Sequence, residues 1–440
     1  MEGNMAEQVI TLPWGEAMIN IRIPARWQVK GILEPTALPP VKDTEKEILR
    51  ALSHPVEMGT LTEWIKPEQK ITIVIDDISR PTPVHKIFPL LFAELSHCGI
   101  KPGRITIVPA LGVHRGMEEA EVLKRIGMDS MQGMLWENPD SDDPAKQTLV
   151  GTTSRGTPVW INKTAAESDV IISIGCIEPH IIASFGGGYK NLLPGIAGRA
   201  SIAHNHALNC QPGTFNMVGQ PIDQNPMRQD LEEAGKMLKP KVFIINAILN
   251  NLQQVVQVVS GDPIAAHREG VRISANLYGV SVDQKADIVI TDSHPMDSDL
   301  RQGVKALANT IRALKKGGIL ITVVRAEEGV GVFGLANKKL PLGRKALKFL
   351  APVILPLVTK LKLKGMGEED RFFLYFALQA MRMGTLLMYG PTIPQTVHEN
   401  LPFITFVPSL ESAVEFAKAQ YPGKADVLVF PNGGITYPIL

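Results

Sequence analysis

Residues 175–206 read GCIEPHIIASFGGGYKNLLPGIAGRASIAHNH. Directly before them, Val170-Ile171-Ile172-Ser173-Ile174 is a β-branched apolar run of strand length. Such a run predicts a buried strand, and the quoted stretch is then the loop at its carboxyl end. Strand ends that feed glycine-rich loops are where open α/β sheets carry their chemistry. Gly186, Gly187 and Gly188 let backbone approach a ligand with no Cβ in the way. Lys190 suits a phosphate clamp or a nucleophile, and His180, His204 and His206 suit bases or metal ligands. Taken singly, each also suits a polar surface loop. Their concentration in one segment points to a site.

The same strand, loop, helix rhythm recurs on both sides. Upstream, a strand over 71–75 leads into Asp76-Asp77-Ile78-Ser79-Arg80 and a helix over 84–97. A strand over 104–109 leads into Leu111-Gly112-Val113-His114 and a helix over 117–126. Downstream come strands over 241–247 and 255–259, then a helix over 263–277. Beyond 280 the pattern restarts. Strands are expected over 286–291, 319–324, 403–406 and 426–430, with helices over 300–314, 371–383 and 410–420. The first of these helices is expected to close on Lys315-Lys316-Gly317-Gly318. Residues 9–12 and 17–23 read as a hairpin around Pro13-Trp14-Gly15, and Asp43 as the N-cap of a helix to about Ser53. The pattern predicts an α/β fold of two Rossmann-like domains with mostly parallel sheets. A chain of 440 residues exceeds one ordinary core. The boundary falls near 278, giving domains 1–277 and 278–430, with the tail 431–440 able to return to the first.

Forty-five basic against 44 acidic residues leave no global attraction for nucleic acid. Cys98, Cys176 and Cys210 are odd in number and far apart, which is no disulfide framework and suits a reducing compartment. The N-terminus has no apolar signal region, and the most apolar stretch, 349–358, is interrupted by Pro352 and Pro356 and is too short to span a bilayer. A cytoplasmic protein with a small-molecule substrate is expected, with no nucleic-acid or membrane partner.

Asp77 and Arg80 follow a strand, where an arginine fork suits carboxylate or phosphate and a local ion pair is the simpler alternative. Alternation points Asp76 the other way. His114 lies at another strand end, as a general base would. With His180 it would give two histidines on adjacent loops, as a reaction on either face of one carbon needs. His204 and His206 are two residues apart and on a helix share no face, so a joint chelate needs extended backbone; otherwise one is a ligand and the other a bystander. Imidazole suits nickel, zinc or copper. Gln302 and Lys305 share a helix face, either as plain surface or as an anion clamp.

Gly329-Val330-Gly331-Val332-Phe333-Gly334 matches a dinucleotide-binding pattern, but Pro341 and Gly343 interrupt the helix it requires, and no acidic residue appears before Glu368. Lys338, Lys339, Arg344, Lys345, Lys348, Lys360, Lys362 and Lys364 form a basic run among leucines, read as a solvated face.

With these residues assembled, the sequence resembles the nickel-pincer lactate racemase family. The matching pieces are D-x-x-R at Asp77 and Arg80, the His114 loop, His180 with Lys190 ten residues on, His206 a further sixteen on, and Q-x-x-K at Gln302 and Lys305. The resemblance implies a two-domain enzyme with its active site in the interdomain cleft. It implies a nickel-pincer nucleotide, a pyridinium mononucleotide with two thiocarboxyl groups, covalently attached at Lys190. Nickel would be held through sulfur, carbon and sulfur, with His206 as the protein ligand. Gly187 and Gly188 would admit the cofactor ring, with Asp77 and Arg80 among the cofactor-binding residues. His114 and His180 would be catalytic in a 2-hydroxyacid racemase or epimerase that removes and returns hydride at C2 through a 2-keto acid. Arg80, Gln302 and Lys305 would hold the substrate. Cofactor-synthesis enzymes are the implied protein partners.

The chain departs from the family pattern in two places. All five tryptophans, Trp14, Trp27, Trp64, Trp136 and Trp160, lie in the first half, so a second-domain tryptophan is missing. Arg301 stands where a tyrosine is expected. These changes put lactate itself in doubt, and the extra guanidinium suits a second carboxylate or a more polar hydroxy acid. Two other readings stand beside the racemase: an NAD-dependent oxidoreductase using the 329–334 glycines, and a non-catalytic nickel- or anion-binding protein.

Overall fold

The computed structural model describes residues 7–331, 333–360 and 368–440; Val332 of the glycine motif and Lys362 and Lys364 of the basic run lie outside them. The chain forms two compact units, one of Ala37–Asn209 with Gln220–Leu277, the other of Met1–Thr36 with Cys210–Gly219 and Tyr278–Leu440.

In the unit that begins at Ala37, six strands form one sheet in the order Val255–Gly261, Lys241–Leu249, Val170–Cys176, Ile71–Asp76, Ile105–Ala110, Leu135–Trp136. All neighbours are parallel except Val255–Gly261, which runs antiparallel to Lys241–Leu249. Every residue of Ile71–Asp76 and Val170–Cys176 is buried, as central parallel strands covered on both faces require. Helix Val84–His97 lays Val84, Ile87, Phe88, Leu91 and Leu95 on the sheet, the helical repeat that marks a core-facing stripe. Asp43 caps Thr44–Ser53 by accepting from the Lys46 amide at 3.1 Å. Chain order runs outward from Ile71–Asp76 through Ile105–Ala110 to Leu135–Trp136, then returns to place Val170–Cys176 on the other side. The sheet therefore reverses between Ile71–Asp76 and Val170–Cys176, and the crevice at their carboxyl ends is where such sheets bind ligands.

The other unit has a wholly parallel sheet ordered Thr405–Val407, Gly384–Tyr389, Leu314–Val323, Ala286–Asp292, Ala425–Phe430, Trp27–Ile32. The hairpin Gln8–Trp14 with Ala17–Ile23 packs its Ile10, Leu12, Ile21 and Ile23 into this unit's core beside Ile288, Ile321 and Val427. This division differs from a cut at 277. Residues 7–36 lie with the second sheet because Trp27–Ile32 finds its ladder partner in Ala425–Phe430. The tail also stays in that unit, where Tyr437–Ile439 pairs with Gly279–Ser281. Helix Leu300–Thr310 ends earlier than its pattern suggested. Lys315 to Gly318 belong to strand Leu314–Val323, at the bulge between its Leu314–Ala286 and Ile319–Ile288 pairs, and Gly318 pairs with Gly384. No helix among the described residues is long and apolar enough to cross a membrane.

Candidate active site

Asp77 and Arg80 leave the sheet at the reversal point, just past Ile71–Asp76. Asp77 Oδ1 accepts from the Ser79 amide at 3.0 Å and the Ser79 hydroxyl at 2.6 Å, and its Oδ2 lies 2.6 Å from His114 Nδ1. The imidazole therefore donates from Nδ1 and keeps the Nε2 lone pair available. Burial alone would raise the Asp77 carboxyl, but the His114 hydrogen bond and charge, then Ser79 and Arg80, hold it well below the usual carboxylate range. The local pair of Asp77 with Arg80 does not form. Arg80 Nη1 donates instead to Glu178 Oε1 across the crevice, and 22% of the Arg80 side chain stays exposed. Arg125, from helix Glu119–Ile126, fixes the loop by donating to the carbonyls of Asp76 and Arg80, both at 3.0 Å.

The second wall of the crevice is the 177–191 loop. Pro179–His180 pairs with Ser184–Phe185 in a small antiparallel turn. His180 Nδ1 accepts from the amides of Ile182 and Ala183 at 3.2 and 3.1 Å. That wiring is opposite to His114, because it places the neutral ring's proton on Nε2. Gly187 and Gly188 have φ of +73° and +62°, and a Cβ on Gly187 would sit 2.6 Å from Asn246 Oδ1. Both positions thus require glycine. Asn246 Oδ1 accepts from the Gly188 amide at 2.9 Å. The short 3₁₀ turn Gly188–Asn191 then presents Lys190. Burial first, then the Arg80 charge, push its amine down to about 7, with Arg228 adding to the fall and Asp76 and Glu178 opposing it. Asp76 therefore acts on this site, contrary to the alternation argument. Its Oδ2 takes the Thr82 hydroxyl at 2.5 Å and lies 3.2 Å from the point where a Gly175 side chain would begin.

His204 and His206 stand on helix Arg199–Ala207, so they do not share a face. His206 Nδ1 donates to the Ile202 carbonyl at 2.9 Å, which places the neutral ring's proton on that nitrogen. His204 Nδ1 lies 2.8 Å from the Thr157 hydroxyl, which donates onward to the buried Asp230 at 2.7 Å. Thr153 and Asn205 donate to the same carboxylate. His204 is thus tied into a structural network.

Gln302 and Lys305 belong to the other unit, on helix Leu300–Thr310. Asp299 caps that helix, accepting from the Gln302 amide at 2.8 Å. Gln302 Oε1 is buried with no hydrogen-bond partner among the described residues, which suits a ligand contact. The 329–334 glycines pack on this helix start, where the Gly329 carbonyl accepts from the Leu300 amide at 2.9 Å. Only the short turn Gly334–Asn337 follows them, not the helix a dinucleotide site needs.

Sequence reasoning missed Glu178, Asn246, Arg228 and His267 as parts of this region. Asn246 carried a signal, as a lone amide inside the apolar run of Lys241–Leu249. Glu178 lay within the glycine-loop stretch itself. Arg228 and His267 carried none, because a polar side chain on a helix reads as exposed by default.

The chain is similar to several known proteins. The family profile described as the lactate racemase N-terminal domain matches residues 14–215. The lactate racemase of Thermoanaerobacterium thermosaccharolyticum is 30% identical over 326 residues, 73% of this chain and 75% of that protein. The lactate racemase of Lactiplantibacillus plantarum is 30% identical over 325 residues, 73% and 76% of the two chains. The apoprotein structure of the Thermoanaerobacterium enzyme superposes with a TM-score of 0.84 at 24% identity, covering 98% of this chain and all of that one, and so shares the mixed α/β fold. A Thermotoga maritima protein superposes at 0.68 and 16% identity, covering 92% of this chain and all of that one. The chain belongs to the lactate racemase family and is an isomerase of the racemase class.

Proposed function

We propose that the protein is a 2-hydroxyacid racemase or epimerase that works through a nickel-pincer nucleotide covalently attached at Lys190. The observation that carries the reading is the Lys190 amine, set beyond two left-handed glycines and shifted toward its free-base form, the form that attacks a carboxyl-type carbon. The residues fit such a group. The turn at Gly187 and Gly188 leaves no Cβ in the way of a ring, Asp77 and Arg80 supply polar partners, and His206 offers Nε2 as one soft-borderline ligand. Among the described residues no three His, Cys, Asp or Glu side chains converge as a metal cage, and this reading asks the chain for one ligand only.

When bound, the nickel-pincer group supplies a hydride acceptor and donor for C2 of the substrate. The chain's own residues handle the rest. His114 Nε2 accepts the hydroxyl proton, and Asp77 stabilises the imidazolium that results. His180 stands as the second proton-handling group, and the two exchange roles for the opposite enantiomer. The proton taken from oxygen returns to oxygen as C2 is restored, so turnover leaves the protonation balance unchanged. Arg80, with Nη1 engaged by Glu178, keeps further N–H donors for an anion. On the sequence, the extra guanidinium of Arg301 suits a second carboxylate or a more polar hydroxy acid.

The test is mass spectrometry of the Lys190 peptide from chain produced together with the cofactor-synthesis enzymes. A cofactor adduct on Lys190 is expected, with about one nickel per chain, loss of both in Lys190→Ala, and racemisation on a panel of mono- and dicarboxylic 2-hydroxy acids. An unmodified Lys190 peptide in active enzyme would sink the tether.

A further inference from the structure

Arg228 lies near the start of helix Pro226–Lys236, fully buried, and bonds to backbone carbonyls. Nη1 donates to Gly187 at 3.1 Å, Nη2 to Phe185, and both Nη2 and Nε reach Ala183 at 3.4 Å. The nearby carboxylate, Glu232, is occupied by both terminal nitrogens of Arg268, at 2.8 and 2.9 Å. Arg268 also reaches His267 Nδ1 at 3.1 Å, and His267 Nε2 donates to the Gly186 carbonyl at 2.8 Å. Two fully buried side chains thus hold the carbonyls of Ala183, Phe185, Gly186 and Gly187. The same helix seats the next residue of the loop: a Cβ on Gly235 would fall 2.3 Å from the Tyr189 ring.

A buried guanidinium that no carboxylate among the described residues bonds directly is costly, and a neutral amide could not span three carbonyls as the rigid fork does. Resting on the reading of Lys190 as the cofactor tether, we propose that Arg228 is a positioning residue of this racemase, setting the conformation of the 183–188 loop and hence the aim of Lys190. Its charge acts a second way. It joins that of Arg80 in disfavouring protonated Lys190, against the opposing carboxylates of Asp76 and Glu178.

Two measurements on the cofactor-free full chain separate these effects: amide hydrogen exchange across 183–190, and trace acetylation of Lys190 by acetic anhydride as a function of pH. Arg228→Lys keeps the charge and loses the fork. Its loop amides should exchange about tenfold faster or more, with the acetylation midpoint near the wild-type one. Arg228→Met loses both, so exchange should rise and the midpoint should also move toward the ordinary lysine value of about 10.4. Circular dichroism checks folding. A folded variant of either kind with wild-type exchange at 185–188 overturns the proposal. If Arg228→Met does not fold, Arg228→Lys decides it, and failure of both to fold assigns Arg228 to the fold rather than to positioning. Neither readout involves nickel or cofactor, so an unmodified Lys190 in active enzyme would overturn the tether and leave the loop result standing.

Discussion

Asp77 and His114 are 37 residues apart in sequence and 2.6 Å apart in space. The contact gives the two histidines different starting states. His114 holds its proton at Nδ1 toward a carboxylate, whereas His180 accepts backbone amides at that atom. If His114 is a base oriented by Asp77, removing either partner removes one function. Asp77→Asn and His114→Ala should each lower kcat by roughly 10²–10⁴-fold. The double variant should be little worse than the more damaged single one, because the pair acts as a unit. For a racemase the loss in kcat/KM should be equal in the two directions. Turnover of both enantiomers by the two single variants and the double variant checks this, and fully additive losses would break the dyad. At this scale the sequence was readable where a residue closes a strand, as with Asp77, Arg80 and His114. It was silent where long-range pairing redirects a side chain. Arg80 leaves its neighbour Asp77 for Glu178, 98 residues on.

Helix Arg199–Ala207 shows how an element assigns roles to residues of one type. Helical spacing points His204 to the Thr157 and Asp230 network and His206 elsewhere, with its Nδ1 tied to the Ile202 carbonyl. In the nickel reading, His206→Ala should lose most of the bound nickel and His204→Ala should retain most of it. Metal analysis of cofactor-loaded protein decides between them, and the reverse order would reassign the ligand. Elements were the most legible level of this chain. Helices Val84–His97 and Leu410–Gln420 begin and end where their apolar repeat does. The error at 315–318 has a physical cause. Lysines and glycines after a helical pattern resemble a helix end, yet here the lysines lie on a sheet margin where Lys315 pairs with Asp287 and Asp426.

For the molecule as a whole, sequence order was a poor guide to which segments share a sheet. The sequence reads 9–12 and 17–23 as a hairpin but assigns no strand to 27–32, and nothing local names a partner almost 400 residues away. Trp27–Ile32 lies beside Ala425–Phe430 because the second sheet has an open edge there. The reversal between Ile71–Asp76 and Val170–Cys176 was equally hidden, since it depends on strand order. That reversal gathers Asp76, Arg80, Glu178 and Lys190, with Arg228 behind them, and the whole fold bears the consequence. Burial holds the Lys190 amine down to about 7 in the folded chain, against about 10.4 when unfolded. Between those values the unfolded chain holds more protons, so this group makes stability rise with pH. Its penalty is complete below about pH 7 and gone above about pH 10.4. Lys190→Met should therefore stabilise the cofactor-free chain most in acid, by about 2 kcal/mol at pH 6 after allowance for residual solvent contact, and the gain should close toward pH 10. Asp77 titrates well below this window and does not contribute to the slope. Denaturation midpoints of wild type and variant at pH 6, 8 and 10 test the argument. A difference that stays constant across that range would mean that the amine is protonated in the folded chain, and the nucleophile assigned to Lys190 would lose its physical basis.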